Sequence, residues 1–388
     1  VQGGTARAAL ELAAGSVIPE PIQLVMHNHA DHTQLRNHSG HNTLTGQLSL
    51  NAGGGRWDIA ATGGSLTLAG PLVNVSTGTD TWRTLHLHGP AGGTITGNLT
   101  NSASGNSLTN VRVQSGAWEL SGGAKSYTGA TTVAGGSLTV HAALVSPVTV
   151  LGGATVGGNG STTGDLTLHD QARLRVRVDD WDAPPVGFTA ARLLTGSASL
   201  LTVTIDATGI LGFTETPRSI PLVTTTAETP TPPAAAVAFE TGAFPGSGTW
   251  SLAVAGSQLI LAYQPDPYAA WTAGIDWQGE DSGPLADPER DGLPNLLEFA
   301  LGGDPLVPDT GIAPRPWLAA DGRLAITFWR RADPALHYQV EAAASPAGPW
   351  LTVWASTGPA NTAGPVTVAD VPPPGTPPAR FLRLRVTR

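Results

Sequence analysis

The feature that most constrains this chain is a two-residue alternation, broken every few residues by glycine. Apolar residues sit two apart in Gln47-Leu48-Ser49-Leu50, Ser65-Leu66-Thr67-Leu68 and Ser137-Leu138-Thr139-Val140, with Ser or Thr between them. That is the period of a strand with one buried face. Glycines punctuate the pattern at Gly53-Gly54-Gly55, Gly92-Gly93, Gly122-Gly123, Gly135-Gly136, Gly152-Gly153 and Gly157-Gly158. With 49 Gly, 32 Pro and only 13% charged residues in 388, long amphipathic helices and coiled coils are disfavoured. A hydrophobic share of 40% is too high for charge-driven disorder.

The strand unit recurs. Gly55-Arg56-Trp57-Asp58-Ile59 leads to Gly64-Ser65-Leu66-Thr67-Leu68, and Gly116-Ala117-Trp118-Glu119-Leu120 leads to Gly136-Ser137-Leu138-Thr139-Val140. Gly248-Thr249-Trp250-Ser251-Leu252 leads to Gly256-Ser257-Gln258-Leu259-Ile260-Leu261. Repeated strands and turns point to a solenoid. The expected architecture is mainly β: a right-handed parallel β-helix over residues 1–263, of about eleven coils of ~20–25 residues stacked ~4.8 Å apart. A β-sandwich or jelly roll shares the composition. Trp57, Trp118 and Trp250 are expected to pack at coil ends, and Gln258–Tyr263 to be the last solenoid strand. Gln264-Pro265-Asp266-Pro267 then breaks the pattern.

Charge divides the chain as well. Residues 1–263 hold 11 basic and 15 acidic groups, 266–309 hold ten acidic and one basic, and 310–388 hold eight Arg and four acids. Three regimes predict three units: 1–263, an acidic connector at 264–310, and 311–388. The net charge of −9 shows no basic face of the kind a nucleic-acid binder carries. Zero Cys excludes disulfides, zinc ribbons and thiol catalysis. No apolar run is long enough to cross a bilayer as a helix.

Gly116-Ala117-Trp118-Glu119-Leu120-Ser121-Gly122, then Tyr127-Thr128-Gly129-Ala130-Thr131-Thr132-Val133, then Gly136 to Val140, resembles the autotransporter-associated β-strand repeat, also called the passenger-associated transport repeat. The match covers about 25 residues and extends more loosely over most of 1–263. It implies a secreted passenger, extracellular or on the outer surface of a Gram-negative-type bacterium. The start at Val1 is read as a processed or truncated product. Autotransporters of this kind end in a membrane β-barrel, and the ending Leu384-Arg385-Val386-Thr387-Arg388 is read as a departure from that pattern, so that self-export through a barrel is not expected.

The connector holds the sharpest chemical signal. Short helices are expected at Tyr268–Asp276 and at Asn295–Leu301, the second closed by Gly302-Gly303 and stopped by Asp304-Pro305. Between them, Asp287, Glu289, Asp291, Asn295 and Glu298 fall at positions one, three, five, nine and twelve of an EF-hand-type loop. Gly292 stands at the sharp turn of position six, and Leu293 stands where a backbone carbonyl serves. Five oxygen donors in this register predict a structural Ca2+. Glu289 departs from the usual shorter Asp or Asn. The competing reading is a capped turn, with Asp291 and Asn295 bonding backbone amides and the acids solvated. The stretch Asp287–Pro305 resembles dockerin and thrombospondin type 3 calcium loops near the C-termini of exported bacterial proteins.

Residues 311–388 alternate in Leu324–Phe328, Tyr338–Glu341, Pro365–Val368 and Phe381–Val386, which suits a small β-sandwich. It resembles C-terminal cassettes used for sorting or attachment, and equally suits a module capping the solenoid.

Other constellations carry less. His27, His29, His32, His38 and His41 crowd around Asp31, but nothing fixes a third ligand and they read as turn and surface positions. His86 and His88 alternate with Leu85 and Leu87 and read as an outward strand face. Asp179-Asp180-Trp181-Asp182 reads as a solvated loop. Trp271, Trp277, Trp317, Trp329, Trp350 and Trp354 follow the solenoid, and those exposed would suit glycan stacking. The sequence therefore predicts a non-catalytic structural or adhesive display protein, with polysaccharide or cell-surface components as partners. The alternative is a β-helix carbohydrate-active enzyme using Asp179, Asp180 or Asp182.

Overall fold

A computed structural model of the chain describes residues 9–388 except 26–31, 52–53, 78–80, 105–106, 197–199, 232–236, 243, 310 and 372–379. Alternation along the strands becomes burial. In Ser137–Val140, Leu138 and Val140 point into the core while Ser137 and Thr139 stay half-exposed. The same positions then repeat across the stack. Trp118 pairs with Leu138, Leu138 with Val156, Val156 with Leu174 and Leu174 with Val203, so that each inward residue covers the next. All five are buried.

These ladders run through long parallel sheets, one of nine strands and one of ten. A third face is made by a four-stranded parallel sheet and by the parallel strands of a six-stranded sheet. Early in the chain, sheet neighbours are three strands apart, because the chain visits the other faces before returning. That pairing is consistent with a β-helix. The turns show why glycine is required. Gly40, Gly64, Gly116 and Gly136 all have positive φ near +70 to +80°. A Cβ on Gly64 would collide with the carbonyl of Gly40, and one on Gly136 with that of Gly116.

Three features depart from the sequence expectation. The Gly-x-Trp segments are not equivalent: Arg56–Ala61, with Trp57, lies in the nine-stranded sheet, and Ala117–Leu120, with Trp118, in the ten-stranded one. The third, Thr249–Ala255 with Trp250, is an antiparallel edge strand. Secondly, Gln258–Gln264 does not continue the parallel stack. It pairs antiparallel with both Thr249–Ala255 and Arg218–Thr225; the short turn between Ala255 and Gln258 makes the first of these pairings a hairpin. Thirdly, Trp181 is fully buried. It packs with Phe213, Phe244, Trp250 and Tyr263 at centroid distances of 5.1 to 6.5 Å. Such rings bury large apolar area, which outweighs the hydration of the acids beside them in sequence.

Lys125, the one lysine of the chain, is also buried. Its Nζ donates to the carbonyls of Gly97, Ser121 and Gly123 at 2.7, 2.8 and 2.7 Å, which is how a buried ammonium is satisfied.

The chain divides into two compact units, Val1–Gln264 and Pro265–Arg388. In the second, helices Pro267–Ala273 (α1) and Asn295–Leu301 (α2) accompany two three-stranded antiparallel sheets. Asp266 caps α1 by accepting from Ala269 N–H at 2.9 Å. Gly302, at φ 87°, closes α2 in the left-handed conformation. Tyr268, Phe299 and Leu301 share one core with Ile326, Phe328, Tyr338 and Leu382, so segments 264–310 and 311–388 pack as one body. The Tyr338 hydroxyl donates to the Ala300 carbonyl at 3.0 Å and accepts from Arg331 N–H at 3.1 Å. α2 is thereby fixed to the strands.

Candidate metal centre

The turn before α2 gathers the acids. Asp287 accepts two amides, Asp291 N–H at 3.1 Å and Gly292 N–H at 3.0 Å. Gly292 has φ 93°, which turns the chain sharply as its position requires. Asp291 accepts from Leu293 N–H at 2.8 Å and from Asp309 N–H at 2.7 Å. This fixed turn brings oxygens of Asp287, Glu289 and Asp291 within 4.8 Å of one another.

Asn295 begins α2 and is buried. Its Nδ2 donates to the carbonyls of Asp281 and Gly283 at 3.0 and 2.9 Å, and its backbone N–H donates to Ala286 at 2.8 Å. The side chain is thus a clamp on the preceding loop, and its Oδ1 is buried without a hydrogen-bond partner. One turn on, Glu298 is 0% exposed, and neither carboxylate oxygen has a partner. Both oxygens of Glu289 are in the same state. The Leu293 side chain is buried.

The electrostatics follow from this packing. Burial pushes the Glu298 carboxyl up to about 8, and Glu289, Asp291, Asp287 and Asp304 add repulsion. Burial and the neighbours Asp291, Asp287 and Asp304 raise Glu289 as well. Buried, unpaired carboxylates are costly, and a hard cation removes the cost by supplying the missing charge and accepting their lone pairs. The donor set is all oxygen, from Asp, Glu and Asn, which is the chemistry of Ca2+ or Mg2+ and not of Zn2+.

The capped turn expected as the competing reading does form through Asp287 and Asp291, but Glu289 and Glu298 are not solvated. Asn295 donates to carbonyls and accepts no amide from the turn. Asp304 is the acid that the loop spacing left out. The Gly302-Gly303 reversal after α2 returns the chain so that Asp304 adds to the field on Glu289 and Glu298. A Cβ on Gly303 would lie 3.1 Å from Glu298 Oε1, so the return is close.

The other sequence candidates separate. His27, His29 and Asp31 lie outside the described residues. His32 is buried while His38 and His41 are exposed, and His41 Nδ1 bonds Ser65 Oγ at 2.8 Å. His86 and His88 are half-buried, with Leu85 and Leu87 inward. Asp179 pairs with Arg177 at 2.6 Å and Asp182 with Arg218 at 2.9 Å, while Asp180 accepts from Asp182 N–H at 2.9 Å. Of the late tryptophans, Trp317 and Trp329 are exposed, whereas Trp271 packs on Phe299 and Trp354 on Phe328. Trp350 lies beneath the Arg383 guanidinium at 4.1 Å. No helix among the described residues is long and apolar enough to cross a membrane.

Comparison with protein-family models, with curated proteins and with solved structures finds no match to this chain.

Proposed function

We propose that this chain is a non-catalytic, exported structural or adhesive element of the autotransporter-associated repeat type. In this reading Val1–Gln264 is a right-handed β-helix that displays its turns and outer faces, and many weak contacts along it sum by multivalency. Pro265–Arg388 is a sandwich-like module stiffened by one Ca2+. The cation is held by Asp287, Glu289, Asp291 and Glu298, with Asn295 Oδ1 and the Leu293 carbonyl completing the oxygen set, and the setting is extracellular.

The observation that carries this reading is Glu298: both oxygens are buried and unpartnered, and it lies in the field of Asp287, Glu289 and Asp291, whose own oxygens gather within 4.8 Å of one another. A protein exported into a calcium-containing medium finds its missing partner there. The engagement of Asp179, Asp180 and Asp182 in ion pairs and backbone bonds around a buried Trp181 favours a structural role for that segment over acid–base work. Limited proteolysis of the full chain tests the reading. Calcium is expected to protect Pro265–Arg388 and chelator to open it, while the Val1–Gln264 fragments stay unchanged. Equal cleavage rates in calcium and chelator would overturn the structural role of the metal.

A further inference from the structure

The outer face of the ten-stranded sheet carries a trough. Glu119, Thr139, Gly157, Arg175, Thr204 and Glu240 occupy one outward row, each in register with the next. Two hollows lie along this row and share Arg175, one of about 360 Å³ and one of about 380 Å³. Gly157 explains the depth. It sets no side chain between Thr139 and Arg175, and a Cβ there would press on the Arg175 backbone.

The lining has a definite chemistry. Arg173 pairs with Glu240 at 2.9 Å, Arg177 with Asp179 at 2.6 Å, and Arg175 with Asp206. Every guanidinium of the trough is thus matched by a carboxylate, which leaves rows of donors and acceptors without cationic excess. His141 and Asn159 add a bonded pair at 2.6 Å on one side. Val186, 69% exposed, and Pro185 supply an apolar wall. A polyanion would meet carboxylates in every pair and is disfavoured. A ligand with hydroxyls on its edges and C–H groups on its faces matches both features.

We infer that this trough binds an extended, neutral, β-1,4-linked polysaccharide, laid along the stacking direction of the sheet. Strands recur every ~4.8 Å, and the six rungs from Glu119 to Glu240 span about 24 Å. The rung spacing is close to the advance per pyranose in such a chain, so successive sugars meet successive rungs. Hydroxyls then donate to Glu119 and Glu240 and accept from Arg175, while sugar faces rest on Val186 and Pro185. The inference rests on the display reading and names what the displayed face holds.

The test is calorimetric titration of the full chain, in calcium, with cellohexaose, xylohexaose and mannohexaose, and with hexagalacturonate as the anionic control. At least one neutral hexaose is expected to bind and hexagalacturonate not to. Thr139→Trp, which fills the trough from a half-exposed position, is expected to weaken binding about tenfold or more, as is the surface change Arg175→Gln. A double Trp317→Ala, Trp329→Ala variant is expected to bind as the parent does. Failure of all three neutral hexaoses at millimolar concentration would overturn the inference, as would binding that survives both trough variants in folded protein. Appearance of new reducing ends would count against the non-catalytic reading while supporting the trough as the place where the glycan binds.

Discussion

Replacing Glu298 by Gln separates the cost of burying a charge from the gain of binding a cation. In chelator, wild-type Glu298 leaves two buried acceptor oxygens unpaired, and each such defect costs about 1–3 kcal/mol, more when charged. Above about pH 8, where the Glu298 carboxyl is ionised despite its burial, Gln keeps the shape, loses the charge, and removes the repulsion from Glu289, Asp291, Asp287 and Asp304. Without calcium, Glu298→Gln is therefore expected to be at least as stable as the parent. With calcium the order reverses. A ligand at 100-fold its Kd stabilises the folded state by about 2.7 kcal/mol. For the unit Pro265–Arg388, roughly 120 residues with ~2.1 cal/mol/K of unfolding entropy each, that shifts Tm upward by about 10 °C. Glu298→Gln removes the ligand expected to be bidentate and should reduce the shift to a few degrees. Differential scanning calorimetry of the full chain, with calcium and with chelator, reads both numbers. A variant less stable than the parent in chelator, or one that keeps the full calcium shift, would refute the reasoning.

Lys125→Met removes three hydrogen bonds from Nζ and should cost about 3 kcal/mol or more, read as a lower urea midpoint of the first unit. Trp181→Ala should cost about 3–5 kcal/mol by opening the aromatic cluster, whereas Asp180→Asn beside it should stay within about 0.5 kcal/mol in the same denaturation assay. Gly64→Ala forces a Cβ toward the Gly40 carbonyl at φ +68° and should cost more than about 1 kcal/mol by thermal unfolding.

Much of the strand pattern was legible because alternation is a local property. Ser65–Leu68 and Ser137–Val140 read as half-buried strands and are half-buried strands. The gathering of Asp287, Glu289 and Asp291 was legible for the same reason, since spacing within one turn is local, whereas Glu298, twelfth in the expected loop, is not among the acids grouped there. What escaped depends on the third dimension. Nothing near Trp181 in sequence announces that Phe213, Phe244 and Tyr263 converge on it, so three flanking acids made the segment look solvated. The Gly-x-Trp motif looked like one repeat, yet the same local pattern serves a parallel sheet at Trp118 and an antiparallel edge at Trp250. Asp304 adds its charge to the field on Glu289 and Glu298 only because the chain reverses at Gly302 and Gly303, a geometry outside the spacing rule. Burial of Lys125 was equally invisible, because its three partners are backbone carbonyls that carry no sequence signature.

The most direct test of the central claim is a calorimetric calcium titration of the full chain after exhaustive chelation. One saturable site per chain is expected in wild type, with magnesium a weaker competitor, and loss of that site in Glu298→Gln. Absence of saturable calcium binding in the wild type, or a site unaffected by Glu298→Gln, would contradict it.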